Sequence, residues 1–174
     1  MKRYLILLVL ISAVTVFAQS PQKIGYVDSQ IILTQLPEAI KAQSDLDALT
    51  QKWSNQLDSM KMALQQQYAD VQKQIATMTE EQKQIKQKEL IDKEQMIYQF
   101  QNQKFGQQNG EIYQKQETIF APVKEKIYAA IEKVAKEEGM QFIFDKSGDI
   151  LLLYADEAFD ITFKVLDSLK RGAK

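Results

Sequence analysis

The rhythm of hydrophobic and polar positions changes several times along the chain. It opens with an apolar run, Tyr4 to Val16, preceded by Lys2 and Arg3. A short basic start, an apolar segment too short to span a bilayer comfortably, and Val16 and Ala18 ahead of Gln19 read as a secretory signal over residues 1–18, cut after Ala18. "KIGYVD" (residues 23–28) then reads as a short strand. From Pro37, which suits a first helical turn, the pattern turns helical. Leu46, Leu49, Trp53, Leu57, Met60, Leu64, Tyr68, Val71, Ile75 and Met78 recur every three or four residues along one face. The pattern stops at "TMTEEQ". Thr79 with Gln82 forms a capping box, and Glu80 and Glu81 suit the start of a new helix. Residues 37–120 are therefore expected to form an antiparallel helical hairpin with its tip near 77–80. Each arm is near forty residues, or about 60 Å at 1.5 Å per residue. A tip at Thr79 sets Ile75 opposite Ile85, Leu64 opposite Met96, Met60 opposite Phe100, Trp53 opposite Gly106 and Leu46 opposite Tyr113. The stripe of the second arm is weaker, because Glu89 and Asp92 interrupt it.

Beyond the arm, Pro122 is expected to mark a joint. Val123, Ile127, Ile131 and Val134 share a helical face that Gly139 can close in a left-handed cap. "MQFIFD" and "ILLLYA", apolar on both faces, read as strands 140–145 and 150–155 around the turn "KSGD". Asp160 then caps a last helix whose Ile161, Val165, Leu166 and Leu169 face inward. Residues 19–36 and 121–174 thus make a body with three strands, at 23–28, 140–145 and 150–155, and short helices. The fold class is α+β, with the arm inserted between strands. So small a core supports so long an arm poorly. Oligomerisation, with strands from several copies completing a barrel-like sheet, is the expected remedy.

Composition narrows the function. Once Lys2 and Arg3 are removed, 20 basic residues face 23 acidic ones, too little positive field for nucleic acid. The chain has no cysteine, and it has no histidine, the commonest metal ligand and neutral-pH acid–base group. "SPQK" at Ser20–Lys23 and "KSG" at Lys146–Gly148 superficially match a serine–lysine nucleophile pair. Ser20, however, sits beside the cleavage site, and chance plus a turn is the better reading. "GQQNG" follows no strand, so it is no phosphate loop. No catalytic, cofactor or metal constellation emerges, and an enzyme is not expected.

Eighteen glutamines fall between Gln51 and Gln116. Leu57, Leu64, Val71 and Ile75 read as the seam between the arms. Apolar residues off the seam, Met62, Leu90, Ile97, Tyr98 and Phe105, are candidates for contact with a partner protein. Methionine suits promiscuous surfaces, and many weak contacts give retention by avidity. Gly106 and Gly110, with Pro122, are hinge candidates. Glycine weakens a helix by about 1 kcal/mol relative to alanine.

The order of elements, with "KIGYVD", "LPEAIKAQSDLD" and above all "GMQFIFDKSGDILLLYADEAFDITFKVLDSLK", resembles the OmpH/Skp family of periplasmic chaperones over the whole mature chain. The resemblance implies a periplasmic homotrimer. Its small β-barrel body is built from all three chains, and three helical hairpins enclose a cavity that holds unfolded outer-membrane proteins without ATP. It places Ile24, Tyr26, Val27, Phe142, Ile143, Phe144, Leu151, Leu152 and Leu153 at the trimer contacts. Some members carry strongly basic arms that suit anionic lipid or lipopolysaccharide. The glutamine-rich arms and mild acidity here argue against that recognition. The competing expectation is a structural adaptor bridging periplasmic partners.

Overall fold

The structure, a computed structural model, describes residues 22–148 and 152–172; the expected signal sequence lies outside them. Its elements are β1 (Ile24–Val27), α1 (Ser29–Gln35), α2 (Pro37–Gln74), a 3-10 turn (Ile75–Thr77), α3 (Glu80–Phe105), α4 (Glu111–Glu137), β2 (Phe142–Asp145), a second 3-10 turn (Glu157–Phe159) and α5 (Thr162–Gly172). They form an α+β chain of two compact units. One is a body of residues 22–33 and 127–172; the other is an arm of residues 34–126.

In the body, β1 and β2 pair in parallel, with Ile24 opposite Phe142 and Tyr26 opposite Phe144. Parallel strands need a long crossover, and here the arm supplies it. On its other edge β1 receives the Ile161 N–H on the Tyr26 carbonyl at 3.0 Å. Thr162, wholly buried, donates from its hydroxyl to Asp160 and accepts the Asp28 N–H at 2.9 Å. The N-terminus of α1 is closed by two carboxylates. Asp28 accepts the Ile31 N–H, and Asp145, at the end of β2, accepts the Ser29 N–H at 3.1 Å and the Ser29 hydroxyl at 2.5 Å. Val27, Ile32, Ile127, Val134, Met140, Ile161, Val165 and Leu166 fill the core. Gly139, with φ +65°, ends α4 as its spacing predicts, and the Met140 N–H returns to the Ala135 carbonyl at 2.8 Å.

The third strand expected at 150–155 is corrected: residues 152–155 lie in no sheet, and 150 and 151 are outside the described residues. Strand-like sequence does not make a strand without a neighbour to bond, and Leu153 is 88% exposed. Nor are the two strand segments buried on both faces, since Phe142 is 52% exposed.

In the arm, α2 runs unbroken for 38 residues because its sequence is rich in strong helix formers. The capping box at the tip is present: the Gln82 N–H meets Thr79 Oγ1 at 3.2 Å, and the Thr79 N–H meets Gln82 Oε1 at 2.9 Å. The expected register holds to within a residue or two. Trp53 meets Phe105 edge-on at 6.1 Å, and the Tyr68 hydroxyl donates to Glu94 at 2.8 Å. Burial thins toward the tip. Leu46, Trp53 and Leu57 are buried, whereas Ile75 and Ile85 are half-exposed.

Pro122 is a second correction. It lies inside α4, which continues through it to Glu137 without the bond its N–H would have made to the Thr118 carbonyl. The returning strand of the arm breaks earlier, between Phe105 and Glu111.

Candidate binding surfaces

Midway along the arm the seam opens into a cleft of about 420 Å³ between Leu64 and Tyr68 on α2 and Ile97 and Tyr98 on α3. It exists because the second arm offers few apolar residues to close it. The chemistry at its wall is a phenol–carboxylate pair. Glu94 accepts the Tyr68 hydroxyl, and that hydrogen bond, helped by burial, raises the Tyr68 pKa above its usual value. The phenol therefore stays protonated and the carboxylate stays tied down. What remains available in the cleft is mostly apolar.

The five arm residues singled out in the sequence separate into two groups. Met62 and Tyr98 are open to solvent, at 66% and 68%, and Ile97 is half-buried at the cleft. Leu90 and Phe105 are corrected. Leu90 is 6% exposed, and Phe105 packs on Trp53, so both belong to the seam. Nearer the base, a second cleft of about 230 Å³ is floored by Ala42, Ile119, Pro122 and Val123. Lys126 meets Glu38 at 2.9 Å on its rim, and that hydrogen bond draws the Glu38 pKa below the ordinary carboxylate range.

At the break in the returning arm, Glu111 accepts from Lys104 at 2.5 Å and from Gln103 at 2.8 Å. The Lys104 hydrogen bond lowers the Glu111 pKa. Gly106 and Gly110 flank this break, while Pro122 lies inside α4.

The body presents a separate apolar surface. Ile24, Phe142 and Phe144 are exposed on one face of the two-stranded sheet, and Leu153 projects fully; Ile143 and Leu152 are half-buried. Among the described residues, the outer edge of β2 has no paired strand. Tyr26, opposite Phe144, shares this face of the sheet but is buried, and Val27 lies on the other face in the core. Leu151 lies outside the described residues. The sequence reading missed Tyr128, Tyr154, Phe159 and Phe163, which are also exposed. A signal for two of them existed. Tyr128 and Phe163 fall off the inward faces set by Ile127 and Val134 and by Val165 and Leu166, so the helical pattern alone leaves them exposed.

Among the described residues no group of three acidic side chains is placed to hold a metal ion, and no helix is long and apolar enough to cross a membrane.

The family model for outer membrane protein (OmpH-like) matches residues 23–169. Among solved structures, a protein from Caulobacter crescentus CB15 described as an OmpH-like outer membrane chaperone superposes with a TM-score of 0.72 at 14% identity. The superposition covers 89% of this chain and 88% of that one, a likeness of fold. A search of the curated proteins finds no match.

Proposed function

Because this chain belongs to the OmpH-like family, we propose that it is a periplasmic chaperone of the holdase type. It would take up unfolded outer-membrane β-barrel proteins as they emerge, shield them from one another between helical arms, and give them up without ATP. The observation that carries this reading is the uneven seam. Ile97 and Tyr98 stand half-open and open at the mid-arm cleft, and Met62 stands open on α2 outside its lining, so these groups are not gathered into one patch. Dispersed apolar groups on glutamine-rich helices bind unfolded chains weakly at many points and do not aggregate among themselves. Burying one such side chain contributes about 1.5–3 kcal/mol at most, so retention depends on number. The arms carry little net charge, and capture should tolerate salt.

The body's part in this reading is assembly. Ile24, Phe142, Phe144 and Leu153 are large and exposed, and the edge of β2, which has no paired strand among the described residues, is a ready acceptor for another strand. Three copies joining sheet to sheet would cover these side chains and set three arms around one space.

The test is mass by light scattering on residues 19–174, alone and with a urea-denatured outer-membrane β-barrel protein. A trimer that holds the client in a soluble complex at physiological salt is expected. A trimer beside an aggregating client would instead favour an adaptor that bridges fixed partners. A folded monomer would remove the shared body.

A further inference from the structure

The returning strand of the arm is broken once, and the break is bridged. α3 ends at Phe105, the Gly106 N–H returns to the Asn102 carbonyl at 2.9 Å, and the Gly110 N–H bonds the Gly106 carbonyl at 2.8 Å. A Cβ at Gly110 would lie 2.7–2.9 Å from backbone atoms of Gly106 and Phe105, so the turn closes only around glycine. Glu111, the first residue of α4, reaches back over the break. One of its oxygens takes Lys104 and the other takes Gln103, both in the last turn of α3. The Lys104 ammonium in turn lies 4.9 Å from the ring centre of Trp53 on α2 and 5.9 Å from that of Phe100. One carboxylate thus ties the end of α3 to the start of α4 and, through a cation–π contact, to the facing arm. The Lys104–Glu111 pair is also the least exposed ion pair among the described residues.

We infer that Glu111 is a latch: while it holds Lys104 over Trp53 the arm is straight across residues 106–110, and when it lets go the arm bends there. This assigns the break a two-state role that simple tolerance of glycine does not. Gly110 is buried, not a surface residue. The contacts on both sides of the break share a single charge pair, so they are lost together.

Hydrogen exchange on the full mature protein, with acrylamide quenching of Trp53, tests this. Trp53 is the chain's one tryptophan, so the tryptophan emission comes from this site alone. In Glu111→Gln and in Lys104→Met, amides 106–113 should exchange several-fold faster and Trp53 should become easier to quench. Amides 85–95 should keep their rates. The double variant should be no faster than either single one, because both remove the same contact. Glu117→Gln, which breaks the exposed pair to Lys124, serves as the control and should change neither readout. Unchanged exchange at 106–113, additive effects in the double variant, or equal acceleration throughout α3 would each overturn the latch. Should either variant lose its helical signal, Glu111→Asp, which keeps the negative charge at the start of α4 but shortens its reach to Lys104, replaces it. Selective acceleration at 106–113 is then expected, and none would overturn the proposal.

Discussion

Leu90 and Tyr98 sit on one helix and have opposite fates, the first sealed in the seam and the second standing in solvent. Truncating them should separate stability from capture. Leu90→Ala should cost about 2–5 kcal/mol of arm stability by urea unfolding, the usual range for a buried leucine. Tyr98→Ala should stay within about 0.5 kcal/mol, as exposed sites do, while weakening retention of a denatured client. Equal effects of the two on both measurements would contradict this division of roles. The misplacement of Leu90 in the sequence reading has a physical source. A polar helix with interrupted periodicity gives no face of its own, so off-seam position had to be guessed. The register already points to the answer, since the alignment that sets Met60 opposite Phe100 also puts Leu90 opposite Asp70, next to Val71 of the first arm's stripe. Phe105 follows for a related reason: a register that matches Trp53 to the neighbouring Gly106 leaves Phe105 off the seam, whereas the ring contact is with Phe105.

At the level of elements, the capping box, the glycine-closed end of α4 and the inward face of α5 were all legible, since each depends on residues close in sequence. The helix break was only half legible. Gly106 and Gly110 signal weakness, but a proline outranks them in any propensity scale, and only the observed turn shows that α4 absorbs Pro122. Gly110→Ala should force this turn open, destabilising the arm by about 1 kcal/mol or more, visible as faster exchange at 106–113. The cap on α1 supplies a pH test. Burial pushes the Asp145 carboxyl up, but hydrogen bonds from Ser29 and Ser147 outweigh it and leave the pKa lowered. A lowered folded-state pKa adds stability above the unfolded value, and that stability fades as pH falls through the folded one. The urea midpoint of the body should therefore drop below about pH 4, and Asp145→Asn should flatten the drop. Glu138, whose pKa is lowered mainly by its hydrogen bond from Lys164, supplies a residual slope in the same direction.

For the molecule as a whole, the sequence carries the order of elements but not what one chain leaves unpaired. "ILLLYA" has the pattern of a strand, yet the backbone partner that would make it one is absent from the described part of the same chain. Pattern reading cannot tell an internal partner from one on another copy. Replacing Phe142 and Phe144 with serine removes apolar area that, in the proposed assembly, faces a neighbouring copy. The variant should keep its helical signal and shift toward single-chain mass in light scattering. An unchanged mass would place the contact elsewhere, with Tyr128, Phe159 and Phe163 as the next surface to alter.

The parallel pairing of β1 with β2 has a consequence in time. Lys23 is bonded through its N–H and its carbonyl to Gln141, 118 positions later. A strand made first must wait for one made nearly last. Closing so long a loop is entropically costly, and high contact order slows folding. The arm shortens the wait, because its two helices can zip together from the tip, bringing Glu38 to Lys126 before any strand has paired. The body therefore forms only after β2, nearly the last element of the chain, is available to pair. Until then β1 is an unpaired apolar segment, needing the very protection that the finished protein would offer to others.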